Sequence, residues 1–251
     1  MITRHKFSFV MLALLLGFSP VVTQAGGVQQ DARAVEVLKQ MASYRSTLDK
    51  AVIKGVSFTD ARLGAGLIVS NSEEVRVSID RPGSMQITSF DGETTKSLYF
   101  HDGMLTVFSS VANLYAQASI PKDIGAAMEF ALEELDIEAP LMDMIYHDAS
   151  AHLISSDETI LYLTDKSRVG KTDCHHIAIR GPEADVQLRI EEGERPLVRK
   201  IIITSKWEGG SPRFIANLHW ETNPQFDPDL FEFKAPEGAT KIEFVTQLSE
   251  Q

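Results

Sequence analysis

Along most of this chain apolar and polar residues alternate with a period of two, and the period changes in two places. Near the start, Ala34, Val35, Leu38, Met41 and Ala42 recur at three- and four-residue spacing, and the stem of Arg45 and Leu48 continue the stripe. That spacing predicts an amphipathic helix beginning at Ala32, with Asp31 as its cap. Mid-chain, Ile124, Ala127, Met128, Ala131, Leu132 and Leu135 fall on one face of a second helix between Asp123 and Leu135. Pro140 suits the first position of a short further helix, Leu141 to Tyr146. Elsewhere the pattern is that of strands. Val52, Lys54, Val56 and Phe58 alternate with Ile53, Gly55 and Ser57, and Val75, Val77 and Ile79 alternate with Arg76, Ser78 and Asp80. Arg81-Pro82-Gly83 turns the chain, and Met85 and Ile87 continue inward. Asp91-Gly92 signals a hairpin with a primed turn, and His101-Asp102-Gly103 turns the next one. A short strand follows around Leu114-Tyr115-Ala116. After the helical insert, strands are expected at Thr159 to Thr164, Cys174 to Ile179, Val186 to Ile190, Leu197 to Thr204 and Phe214 to Trp220, with Phe231 and Phe233 in a final short one.

These elements predict an α+β fold. Its centre is a strongly curved antiparallel sheet, a half-open barrel of roughly ten or eleven strands, because long sheets twist and must curl. The N-terminal helix and the mid-chain helical lid are expected on the concave side, where apolar surface needs cover. No repeat, low-complexity tract or linker divides residues 26–251, so they read as one domain.

The first residues do not belong to it. Arg4, His5 and Lys6 precede an apolar run, Phe7 to Phe18, and Thr23-Gln24-Ala25 has the small-x-small form of a cleavage site. Residues 1–25 therefore read as a secretory signal peptide, cleaved after about Ala25. The only cysteine, Cys174, lies far from that site. It excludes both a lipid-modified N-terminus and an intramolecular disulfide. The net charge of −11 becomes more negative once Arg4 and Lys6 leave. Such a surface repels nucleic acid and anionic bilayers, and no later apolar run approaches a spanning length. A soluble periplasmic or secreted protein without stable membrane insertion is expected.

The chain resembles the LolA/LolB-like periplasmic fold, and within it a family of predicted periplasmic proteins of unknown function. The resemblance is carried by Arg81-Pro82, Tyr99 with Asp102-Gly103, Tyr115-Ala116 with Pro121, Pro140, Gly170 with Cys174-His175-His176, Trp220, and Phe231-x-Phe233 before Pro236-x-Gly238-Ala239. Val186 and Arg189 stand where tryptophans are expected. The resemblance implies a half-open barrel with helices as a lid, used to carry lipoproteins or apolar ligands.

Candidate chemistry is sparse. Met128, Met142 and Met144 cluster with Leu132, Leu135 and Ile145 around the lid. Methionine is flexible and polarizable, which suits an adaptable apolar surface, and it suits ordinary core equally well. These six residues are the candidate ligand-binding set, for a lipid or lipoprotein acyl chain. Cys174 and His176 would share one strand face and His175 the other. No ligand spacing for a metal is present, and no cofactor is implied. Val169-Gly170-Lys171-Thr172 lacks the preceding glycine of a phosphate loop, since Asp165 stands there, and reads as a strand turn. Strand alternation puts Arg199 on the apolar face shared with Leu197, Ile201 and Ile203, where it could grip an anionic headgroup or snorkel from a strand end. No nucleophile elbow or catalytic set occurs, so no enzyme is expected. The alternatives to a carrier are an envelope sensor or interaction module with an envelope protein partner and, less favoured, a hydrolase.

Overall fold

The Asp31 carboxylate accepts from the Arg33 backbone N–H and opens α1 (Ala32–Ser46), where the apolar stripe placed it. The computed structural model describes residues 30–137, 141, 160–206 and 210–244. From α1 the chain enters β1 (Lys50–Arg62) and β2 (Ile68–Asp80), a long hairpin. Then come β3 (Ser84–Phe90), β4 (Thr95–His101), β5 (Met104–Ser109), β6 (Leu114–Ser119) and α2 (Ile124–Glu133). The remainder is β7 (Ile160–Leu163), β8 (Ser167–Val169), β9 (Thr172–Arg180), β10 (Ala184–Glu191), β11 (Val198–Ser205), β12 (Arg213–Thr222) and β13 (Thr240–Ile242). All of these strands belong to one curved sheet in the order β13-β6-β5-β4-β3-β2-β1-β12-β11-β10-β9-β7, with β8 paired to β9. Its ends do not meet, so the barrel stays half open. Every pairing is antiparallel except that of β13 with β6.

Register decides which residues the helices cover. Ile53, Val77, Ile87, Leu98, Val107 and Ala116 oppose one another in a single row across six strands. Ala216, Ile201, Leu188, Ile177 and Leu163 make a second row across the other limb. Both rows lie on the same face, and both helices dock there. Ala34, Leu38 and Met41 of α1 and Ile124, Ala127, Met128 and Ala131 of α2 join the sheet in one buried cluster. Each large side chain fully buried in it contributes about 1.5–3 kcal/mol. The helices are pinned at their entries: the Asp31 N–H donates to the Leu161 carbonyl and the Ile124 N–H to the Pro82 carbonyl.

The opposite face is crossed diagonally by residues 223–239. Phe226 packs edge-on to Phe231, with rings 5.1 Å apart, and lies beneath the Lys50 ammonium. Phe233 sits among Tyr99, Phe108 and Tyr115, with centroids 5.0–5.6 Å away. Phe231 and Phe233 are thus ring anchors of a strap, not a strand. Pro224, Pro228 and Pro236 remove ladder donors around them, and the chain rejoins the sheet only at β13. The β3–β4 connection also differs from expectation. Phe90 pairs with Thr95, leaving a four-residue loop in which Asp91 accepts from the Glu93 and Thr94 N–H groups. The side chain forms its own turn and displaces the two-residue one. Asp102-Gly103, with both φ positive, makes the two-residue turn instead.

Candidate functional site

Of the six candidate ligand residues, three lie among the described ones. Met128 is 1% exposed and packed in the core cluster. Leu132 and Leu135 are half-buried at the end of α2. Met142, Met144 and Ile145 lie outside the described residues, as does most of the expected helix from Leu141 to Tyr146; Leu141 itself is buried, in a turn with φ 64°. On the covered face, Leu163, Val186 and Ile203 pack against the core yet stay half-buried. Val186 and Ile203 oppose each other near one end of β10 and β11, while Leu163 falls one row away at the other end of β7, so the apolar face stays partly open on this limb.

Arg199 does not share the apolar face. Lys200 opposes Arg189 while Val198 opposes Ile190, which makes Arg199 the extra residue of a bulge. Val198 takes the core position and is 0% exposed. The freed Arg199 donates from Nε to Glu191 Oε2 at 2.8 Å, an ion pair with both side chains largely buried. Cys174 and His176 share the uncovered face, and His175 lies 3.9 Å from Glu192 on the other. Burial pushes the Cys174 thiol up, away from nucleophile behaviour. Burial first and the Arg189 charge second push His176 down. Among the described residues no group of three or more His, Cys, Asp or Glu converges as a metal site would require. Val169 to Thr172 is the β8–β9 turn, with Gly170 at φ 59°. The Arg45 stem is buried as part of the α1 stripe, and burial together with the neighbouring Arg81 charge pulls its guanidinium down to about 10.

The residues that sequence reasoning did not single out lie on the uncovered face. Beyond the strap, a trough of about 800 Å³ crosses β12, β1, β2 and β3. Its apolar floor is Val56, Phe58 and Phe90, exposed to 38%, 37% and 41%. The neighbouring row is His219, Lys54 and Arg76, each directly opposite the next on adjacent strands. At the far end Asp60 is 5% exposed. It accepts from the Ser70 hydroxyl, and from the Arg213 backbone N–H at 3.1 Å and Nε at 3.4 Å. Burial alone would raise this carboxyl, but the Ser70 and Arg213 hydrogen bonds outweigh it and hold Asp60 below the usual carboxylate range. A group depressed in the folded state adds stability above its unfolded pKa, and that stability fades as pH falls through the folded value. Asp60→Asn is therefore expected to cost about 1–2 kcal/mol at pH 7. The deficit should shrink below about pH 4, as read by urea unfolding at the two pH values.

No helix among the described residues is long and apolar enough to cross a membrane. The model of a family described as "Predicted periplasmic protein (DUF2092)" matches residues 34–245, which include every residue on which the sequence resemblance rests. No curated protein matches the chain significantly. Among solved structures, LprF from Mycobacterium bovis is similar at 10% identity and a TM-score of 0.48, over 84% of this chain and 99% of that one. The Mycobacterium tuberculosis lipoprotein LppX is similar at 10% identity and 0.45, over 78% and 99%. A LolA superfamily protein, NE2245 from Nitrosomonas europaea, is similar at 10% identity and 0.36, over 79% and 96%.

Proposed function

The chain belongs to this family of predicted periplasmic proteins, and on that premise we propose that it is a periplasmic binding or carrier protein for an apolar ligand, a lipid or a lipoprotein acyl chain. Residues 1–25 serve as its leader. The observation that carries the reading is the covered face. It is apolar from β6 to β7, and the described part of its cover is two helices, one of them ten residues long, together with Leu141. On the limb of β7, β10 and β11, Leu163, Val186 and Ile203 remain half-buried, as do Leu132 and Leu135 at the end of α2. An acyl chain has no polar groups to satisfy, so a site for it needs apolar area and a cover able to shift more than it needs placed donors. Met128, Met142, Met144 and Ile145 complete the ligand set on this reading, with methionine supplying adaptable contacts. The protein works by binding and not by catalysis, and needs no cofactor.

Native mass spectrometry of protein purified from the periplasm is expected to show a co-purifying lipid mass. After delipidation, a fluorescent fatty-acyl probe should bind. Leu135→Arg, at a half-buried position, should weaken it at least tenfold, the equivalent of about 1.4 kcal/mol. A delipidated protein that takes up no acyl probe at any concentration would overturn the reading. A basic partner protein captured at low salt and lost at high salt, with no lipid mass, would favour an interaction module.

A further inference from the structure

The geometry points to a second site, on the uncovered face: the trough over β12, β1, β2 and β3 binds a single-chain anionic amphiphile, its tail on Val56, Phe58 and Phe90 and its head on the row of His219, Lys54 and Arg76. In a chain of net charge −11, this row sets two cations side by side on neighbouring strands, Lys54 directly opposite Arg76, with the His219 imidazole next in line. Like charges opposed across a ladder are destabilising. Lys54 has Glu221 at 3.6 Å, but both side chains are about half exposed and such a pair contributes little. Arg76 makes no hydrogen bond or ion pair with a described residue. A bound anion would turn that repulsion into attraction. Glu74 lies in the trough, between Val56 and Phe90 in the next row, so the head belongs at the cationic row and the tail runs away from it, toward Phe58.

The shape and the backbone select the occupant. The trough is an open groove rather than a plane, and a flat bilayer would not follow it. Its volume of about 800 Å³ falls within the range of about 300–1,000 Å³ typical of small-ligand pockets. Its floor strands are paired on both sides, β1 with β2 and β12 and β2 with β1 and β3. An extended peptide laid there would bury its own amides without partners, whereas an acyl chain has none to satisfy. The large apolar side chains of the floor are exposed with nothing described above them, a pattern that marks interaction sites.

The test uses full-length mature protein and two probes of equal tail length, dodecanoate and dodecyltrimethylammonium, below their micelle concentrations. Titration calorimetry gives the affinity, and backbone amide shifts locate the site. Leu135→Arg is included so that binding at the covered face is separated from binding at the trough. Dodecanoate is expected to bind wild type and Leu135→Arg alike at this site, with shifts on β1, β2 and β3. Arg76→Glu and Phe58→Asp should each weaken it at least tenfold, and the cationic probe should bind wild type at least tenfold more weakly. Arg76→Glu relieves the Lys54 repulsion and Phe58 is exposed, so both variants should fold; unfolding midpoints check this. Equal affinity in both variants, equal binding of the two probes, shifts confined to α2, or binding only to vesicles of anionic phospholipid or to an amphipathic helical peptide would each overturn the proposal. A protein that binds dodecanoate at the trough but no acyl probe under its helices would sustain this site and sink the reading of the covered face.

Discussion

Gly55→Ala is expected to lower stability by about 2–3 kcal/mol, within the range for forcing atoms into packed structure. Gly55 lies in the middle of β1, opposite Leu218 of β12 on one side and Val75 of β2 on the other. A Cβ built there would stand 2.4 Å from the Asn217 carbonyl oxygen and 3.0 Å from Leu218 Cδ2. The oxygen belongs to the backbone of a paired strand and cannot swing aside as a side chain would. The two central strands must separate or the coil of the sheet must relax. Glycine inside a strand commonly marks such an approach of two backbones. Gly64→Ala is the control: it sits in the β1–β2 loop with nothing within 4 Å of the added carbon, and is expected to be neutral or slightly stabilising. Urea unfolding of the two variants checks the contrast. Near-equal midpoints would mean that the approach of β1 to β12 is not tight in solution. The same substitution should weaken amphiphile binding in the trough, because separating β1 from β12 would move Lys54 and Val56 away from His219.

That strand is also where hydrophobic alternation was hardest to read. The helices were legible because period 3.6 and an aspartate cap agree at Asp31 and again at Asp123, which accepts from the Ala126 N–H. Strands β2 and β3 were legible because Val75, Val77 and Ile79, and then Met85 and Ile87, alternate cleanly with polar residues. In β1 both sets carry apolar residues. Judged by hydrophobicity, Val56 and Phe58 look more like core than Gly55 and Ser57. Register overrules this: Ile53 pairs with Val77, and the alternation then sends Gly55 and Ser57 to the covered face and Val56 and Phe58 outward. The outer trough was therefore readable only as an ambiguity of strand faces, which tertiary pairing settles. The candidate set around Met128 was legible as apolar helix face. Sequence alone gives the same pattern to a packed core and to a ligand wall, and the structure packs Met128 itself into the cluster while leaving Leu132 and Leu135 half-buried.

Arg199→Met is expected to cost about 3 kcal/mol, the order found when one partner of a buried ion pair is removed. Alternation along Leu197 to Thr204 put Arg199 on the apolar face because it assumes an unbroken ladder. The bulge inserts one residue, Val198 takes the inward place, and the Trp220 indole N–H donates to the Val198 carbonyl at 2.8 Å, which holds the kink. Arg199 and Glu191 are 13% and 15% exposed, and the next cation, Arg195, stands 4.0 Å from Glu191. Without Arg199 the Glu191 carboxylate stays largely buried with little compensation, and that uncompensated charge is the main cost. Glu191→Leu combined with Arg199→Met removes both charges and should recover most of the loss, to within about 1 kcal/mol of wild type. The cycle thus separates a structural pair from a ligand clamp. If Arg199 serves the bulge alone, the single variant loses stability while its affinity for fatty-acyl probes, measured well below the unfolding midpoint, stays unchanged. A tenfold fall in that affinity in a variant that remains folded would assign Arg199 to the ligand instead, with Glu191 as the group it leaves on binding.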